Sequence, residues 1–130
     1  GGEYWGNVDI AACMKAIGLA IELGINLFDT APLYGNGLAD QRLVEALGPK
    51  RHDVIIATKV GVDTRGQHAR SLLTRQFLEQ DIAHSLKRLK LESIPLLQVH
   101  WPCDSNTPIE ETFSTLTLTC RFKREIELSA

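Results

Sequence analysis

Three ionisable residues close apolar, strand-like runs: Asp29 ends INLFD, Lys59 ends DVIIATK and His100 ends IPLLQVH, and each is followed by a loop. In a parallel barrel such carboxyl ends lie on one face, where catalytic residues from several strands meet. Side chains alternate along a strand, so Ile25, Leu27 and Asp29 share a face, as do Ile55, Ala57 and Lys59, and Leu96, Gln98 and His100. Tyr34 follows Asp29 in the APLYGNG loop, close enough to fold back over the set. A buried Asp and Lys must pair or change protonation state, and an ammonium beside a phenol makes that phenol a better proton donor. A polarised hydroxyl and an imidazole near a carbonyl oxygen suit delivery of a proton while something else supplies hydride. Each residue alone also has a plainer reading: Asp29 as a loop cap, Lys59 as a snorkelling lysine, His100 as a hydrogen-bonded strand end, Tyr34 as loop packing. Their joint placement is what points to chemistry.

Rival chemistries find fewer partners. One carboxylate and one imidazole are too few for a metal, and His52, His68 and His84 fall before a strand, in a polar loop and in a helix, without H-x-x-x-H spacing. Cys103 lies near His100 but has no second base placed for it, so it reads as a loop thiol. The three cysteines, Cys13, Cys103 and Cys120, form no close pair, which suggests neither a disulfide framework nor a C-x-x-C site. A reducing, cytoplasmic compartment is the expectation.

The elements that must position these residues alternate. Asp9 is a candidate N-cap for a helix over 9–23 with Ile10, Met14, Ile17 and Ile21 on one side, and Gly24 suits the left-handed position after it. A strand over 25–29 leads through a turn-rich loop into a short helix over 39–47, stopped by Gly48 and Pro49. A strand over 53–59 is followed by a polar loop, then by a helix from Ser71 to about Lys90 and a strand over 94–100. Thr107, Pro108 and Glu110 combine N-cap, N1 proline and capping box, so another helix starts there. Beyond Leu116 the threonine-rich TLTLTCRF and the closing KREIELSA favour extended structure and a shortened helix.

Alternation at this spacing, with strands that are nearly continuous apolar runs, predicts an α/β fold with a helix-covered parallel sheet. No G-x-G-x-x-G or G-x-x-x-x-G-K-[ST] follows a strand, and GNGLAD is only a weak imitation, so a barrel is preferred to an open doubly wound sheet. At 130 residues the chain is one domain, about half of what a (β/α)8 barrel needs. Fourteen Lys and Arg against sixteen Asp and Glu give a net charge of -2 with no basic stripe, which argues against a nucleic-acid partner. The apolar run IGLAIELGINLF is broken by Glu22, Gly24 and Asn26, too short and too polar to span a bilayer. The N-terminus carries no secretory pattern and no initiating Met, so the chain reads as a piece of a longer product.

Taken together, FDTAPLYGNG, IATKVG and LLQVHWP resemble the N-terminal half of an aldo-keto reductase, from residue 1 to about Leu116. The resemblance implies a partial (β/α)8 barrel lacking its first strand and its C-terminal strands, and an NADPH-dependent reduction of aldehydes or ketones, with NADH as the alternative cofactor. It implies four catalytic residues: Asp29 as the aspartate of F-D-T-A, Tyr34 as the proton donor, Lys59 as the lysine that pairs with the aspartate and assists the tyrosine, and His100 as the group that orients the substrate carbonyl. Asp29 and Ser129 are the implied cofactor contacts, Trp5 and Trp101 candidates to line the substrate pocket, and no metal is implied. Most cofactor contacts are expected in the C-terminal half, and unpaired sheet edges in this half are expected to promote self-association.

The departures are local. Ala39, Asp40 and Gln41 stand where the family has Ser-Glu-Glu, and Pro95 stands where Asp or Asn is common. Residues 117–130 read as a divergent tail, with Glu127 in place of Gly and Ala130 in place of Asn. The competing expectation is a non-catalytic fragment, or a binding subunit on the same barrel like the family's ion-channel-associated members.

Overall fold

The computed structural model describes residues 8–102 and 107–127, with the backbone alone described over 120–127. Helix α1 (Ile10–Glu22) begins where the Asp9 carboxylate accepts the Ala12 N–H at 3.1 Å, and it ends at Leu23 with Gly24 at φ +87°. Strand β1 (Leu27–Asp29) follows, then α2 (Leu38–Leu47), a 3-10 turn (Gly48–His52) and β2 (Ile55–Val60). A two-stranded antiparallel hairpin, β3 (Val62–Asp63) with β4 (Arg70–Ser71), precedes α3 (Arg75–Leu89), β5 (Leu96–Val99) and α4 (Ile109–Glu127).

Strands β1, β2 and β5 form a parallel sheet in that order, with Asp29 beside Ala57 and Lys59 beside Gln98. Thr30 N–H to Ala57 O (2.9 Å) and His100 N–H to Val60 O (3.0 Å) carry the ladder one residue further, so both strand ends are fixed. Sequential strands are neighbours, and the helices touch in sequence as well: α1 on α2, α2 on α3, α3 on α4. A row of mutually packed helices lies on one face of a sheet, which is barrel winding; an open doubly wound sheet divides its helices between two faces.

Helix-facing side chains form the core. Ile56 packs with Leu43, Val44, Leu47 and Leu89, and Val60 packs with Leu73, Leu78 and Ile82. The opposite face carries Leu27, Ile55 and Leu96 at 53%, 45% and 43% exposure, three of the apolar residues that alternation places on the same side as Asp29, Lys59 and His100.

Two expectations are corrected. The segment after β2 is not loop throughout, and α3 starts at Arg75, not Ser71, because Arg70 and Ser71 pair with Asp63 and Val62. The buried Asp63 carboxylate closes that hairpin, accepting from the backbone and guanidinium of Arg65 and from Arg70. These bonds, chiefly those from Arg65, hold Asp63 far below the usual carboxylate range. The threonine-rich segment is also not extended: α4 runs unbroken to Glu127. Its threonines satisfy their hydroxyls within the helix, Thr115 to Glu111 O and Thr119 to Thr115 O, both at 2.9 Å, and Thr112 to Pro108 O at 3.4 Å. Thr112 and Thr115 are buried and Leu116 joins the α3 core, so packing outweighs the β preference of the β-branched side chains.

Candidate active site

The carboxyl ends of the three parallel strands bring Asp29, Tyr34, Lys59 and His100 together. The Lys59 ammonium donates to Asp29 Oδ1 at 2.8 Å, to Asp29 Oδ2 at 2.7 Å and to the Thr30 carbonyl at 3.1 Å. Three donors meet three acceptors, which fixes the tip of a flexible side chain. The same nitrogen sits 5.1 Å from the centroid of the Tyr34 ring. Tyr34 reaches this position because the β1–α2 loop turns back on itself, with Tyr34 N–H on Ala31 O (3.0 Å) and Ala39 N–H on Tyr34 O (3.3 Å).

His100 completes the group. Its ring meets Tyr34 edge to face at 5.8 Å between centroids and tilts against Trp101 at 5.4 Å. Burial lowers the pKa of this imidazole, the Lys59 cation lowers it further, and the Asp29 anion opposes them. A neutral ring with one donor and one acceptor nitrogen results at neutral pH. The site is a phenol with a clamped ammonium and a neutral imidazole both against its ring, and its Asp29 carboxylate is 56% exposed against 14% for Lys59.

Trp5, Cys103 and Ser129 lie outside the described residues. Among the described residues no three His, Cys, Asp or Glu side chains gather as metal ligands, and no helix is long and apolar enough to cross a membrane.

Behind the site lies a buried polar cluster that strand-end reasoning passes over. Asp40, fully buried on α2, accepts the Thr30 hydroxyl at 2.7 Å and Arg88 Nε at 3.1 Å. Arg88 also donates to Ser85 Oγ at 2.9 Å. Asp81 on α3 accepts the Gly61 N–H at 3.0 Å, and burial raises its pKa. Gly61 is required there: its φ is +92°, and a Cβ would overlap Leu73. A sequence signal existed, because Asp40 shares the buried face of α2 with Leu43, Val44 and Leu47, and Asp81 shares that of α3 with Leu78, Ile82, Ser85 and Leu89. A charge inside an apolar stripe marks a buried partner.

Residues 1–119 match the aldo/keto reductase family. The chain is 40% identical over 114 residues to the aldo-keto reductase YhdN of Bacillus subtilis, covering 86% of this chain and 34% of that protein. It is 35% identical over 112 residues to a protein of Arabidopsis thaliana named as a probable voltage-gated potassium channel subunit beta, covering 84% and 34%. The chain thus spans about a third of the curated relatives it matches. Among solved structures, it superposes on the glycerol dehydrogenase of Gluconobacter oxydans with a TM-score of 0.79 at 33% identity, covering 92% of this chain and 38% of that one. The holo form of an aldo-keto reductase from Bacillus halodurans gives 0.75 at 32% identity, covering 84% and 37%. The three strands and their helices are therefore part of a (β/α)8 barrel, and the chain belongs to the aldo/keto reductase family.

Proposed function

We propose that this chain supplies the proton-transfer half of an NADPH-dependent reduction of aldehydes or ketones to alcohols. The observation that carries the reading is the clamped Lys59 ammonium 5.1 Å from the centroid of the Tyr34 ring, with the His100 ring edge to face with the same ring. A small carbonyl substrate lies with its oxygen toward Tyr34 Oη, oriented by a hydrogen bond from His100. As the carbonyl carbon is reduced, Tyr34 gives its proton to the oxygen, the C=O becomes an alcohol, and the charge left on the phenolate faces the Lys59 cation. Asp29 acts on Lys59, holding it by both carboxylate oxygens. Solvent returns the proton to the exposed tyrosine.

The nicotinamide end of the cofactor fits this set of residues. Asp29 and Tyr34 are exposed at the strand ends, so a flat ring can approach from the open side, and Asp29 and Ser129 are the residues proposed to hold its amide. NADPH, when bound, supplies the hydride. No glycine-rich phosphate loop occurs among the described strands, so the phosphates are assigned to barrel segments other than this one. On this reading residues 1–130 are one barrel segment with a divergent tail at 117–130, acting in the cytoplasm.

The second reading, a non-catalytic binding subunit on the same barrel, is favoured by the similarity to the Arabidopsis protein. One experiment separates the two: the chain is joined to the remaining two-thirds of the Bacillus subtilis relative and assayed with NADPH and an aromatic aldehyde. Turnover that falls at least about 100-fold in Tyr34→Phe, with cofactor binding kept, supports the enzyme. Tight NADPH binding without turnover supports the binding subunit, and equal turnover in Tyr34→Phe removes Tyr34 from the mechanism.

A further inference from the structure

Building on the reading of Lys59 and Tyr34 above, we propose that Thr30, anchored by the buried Asp40–Arg88 pair, is a positioning residue that fixes where the Lys59 ammonium sits among Asp29, Tyr34 and His100. The ammonium has three protons, and Asp29 takes two of them. Asp29 is more than half exposed, so water competes for its oxygens and its carboxylate is free to turn. The third acceptor, the Thr30 carbonyl, has no such freedom. Thr30 is buried, its N–H is bound to Ala57 O at 2.9 Å, and its hydroxyl is bound to Asp40 at 2.7 Å.

Asp40 in turn is held rigidly. A fully buried carboxylate is tolerable only when its oxygens are bonded, and here one accepts from Thr30 and the other from Arg88. Arg88 reaches it because Gly37 leaves room: a Cβ at Gly37 would stand 3.0 Å from Arg88 Cδ. Ser85 takes a second guanidinium N–H, so the chain of bonds runs from α3 through α2 to the residue after Asp29, and from its carbonyl to Lys59. The same helix grips the other strand, since Asp81 accepts the N–H of Gly61, two residues past Lys59.

His100 is the reporter of this geometry: burial depresses its pKa most, and on that background the Lys59 cation lowers it further while the Asp29 anion raises it; Tyr34 and Trp101 are its other ring neighbours. The test is an NMR titration of the chain joined to the remaining two-thirds of the Bacillus subtilis relative, labelled with 13C at histidine Cε1, with the His100 signal assigned from His100→Gln. Thr30→Val keeps the shape and removes the hydroxyl. The His100 midpoint is expected to move upward by a few tenths of a pH unit, on the order of what weakening one partly screened charge–charge interaction gives at an effective dielectric between 80 and 20. Thr30→Ser, which keeps the hydroxyl, is expected to titrate as the parent does, a rescue that loss of packing would not give. Should Thr30→Val lose its amide dispersion, Asp40→Asn serves instead, with a smaller shift in the same direction. Lys59→Met is the control that separates this inference from the reading beneath it. If Lys59→Met raises the midpoint and neither Thr30→Val nor Asp40→Asn does, the positioning role is overturned and the site reading stands. If Lys59→Met leaves it in place as well, the cation does not act on His100 and both fall.

Discussion

Replacing Lys59 by Met separates what the ion pair does for stability from what it does for chemistry. Met keeps most of the unbranched stem and removes the ammonium, with its two bonds to Asp29 and one to Thr30 O. Were the pair dry, the orphaned carboxylate would cost about 3–5 kcal/mol. Asp29 is 56% exposed in this chain, however, so water reclaims its oxygens and the pair itself is worth under about 1 kcal/mol. The carbonyl of Thr30, which is buried, loses a charged donor, and that adds about 1 kcal/mol. The expected loss is therefore about 1–2 kcal/mol, read as a fall of about 0.5–1 M in the urea midpoint with an unchanged slope of about 2 kcal/mol/M. Activity in the completed barrel is expected to fall at least about 100-fold, because the phenolate then forms without a cation beside it. Adding Asp29→Asn to Lys59→Met recovers at most the Asp29 share, under about 1 kcal/mol, and leaves the rate low. A loss above about 3 kcal/mol, or a double variant that recovers rate together with stability, would refute the reasoning.

The other predictions follow from burial and edge exposure. Arg88→Met leaves the fully buried Asp40 carboxylate with the Thr30 hydroxyl alone and is expected to destabilise by about 3–5 kcal/mol; Asp40→Leu with Arg88→Met recovers most of this in urea unfolding, and two equal, additive losses would contradict the pairing. Asp63 is held well below the usual carboxylate range when folded, so below about pH 4 the unfolded chain binds a proton that the folded chain does not, and stability falls as pH drops through that window. Asp81 has the opposite sign: its raised pKa makes the folded chain take the proton first, so its share of stability rises as pH falls from its native midpoint toward about 4. Asp63→Asn should flatten the acid limb of a urea-midpoint profile and Asp81→Asn should not. Alone, the chain exposes Leu27, Ile55 and Leu96 beside the edge strands β1 and β5, and it is expected to self-associate in sedimentation and to reduce no aldehyde with NADPH. A monomer with turnover abolished in Tyr34→Phe would overturn that expectation.

What the sequence made legible was the local and the periodic. Asp29, Lys59 and His100 follow from strand ends and alternation, and Tyr34 follows from a turn that folds the loop back. Asp9 and Gly24 bound α1 as their side-chain chemistry requires. The choice between barrel and open sheet was beyond periodicity, since both alternate identically; it is settled by which helices touch. The hairpin was illegible for a similar reason, its two short strands being joined by Asp63 bonds to arginines on both sides of a loop, a tertiary arrangement with no run of alternation behind it. The α4 threonines misled because their β preference is a weak prior, overridden once Thr112, Thr115 and Leu116 have α3 to pack against.

The two ion pairs around Thr30 differ in how firmly they are held, and the proposed proton transfer would draw on that difference. Asp29–Lys59 is wet on its acidic side, so its geometry is soft: either partner can exchange a bond for water at little cost. A proton-transfer site tolerates little such drift, since misplacing a group by about 1 Å can cost about 100-fold in rate. Asp40–Arg88 has the reverse balance, with a carboxylate at 0% exposure that loses its full desolvation penalty if the pair opens. A pair that costly to break is stiff, and Thr30 binds it by a hydroxyl and the soft pair by a carbonyl. The stiffness of the buried cluster is thereby passed to the exposed one through a single residue, and the charge that water can reach is held by a charge that it cannot.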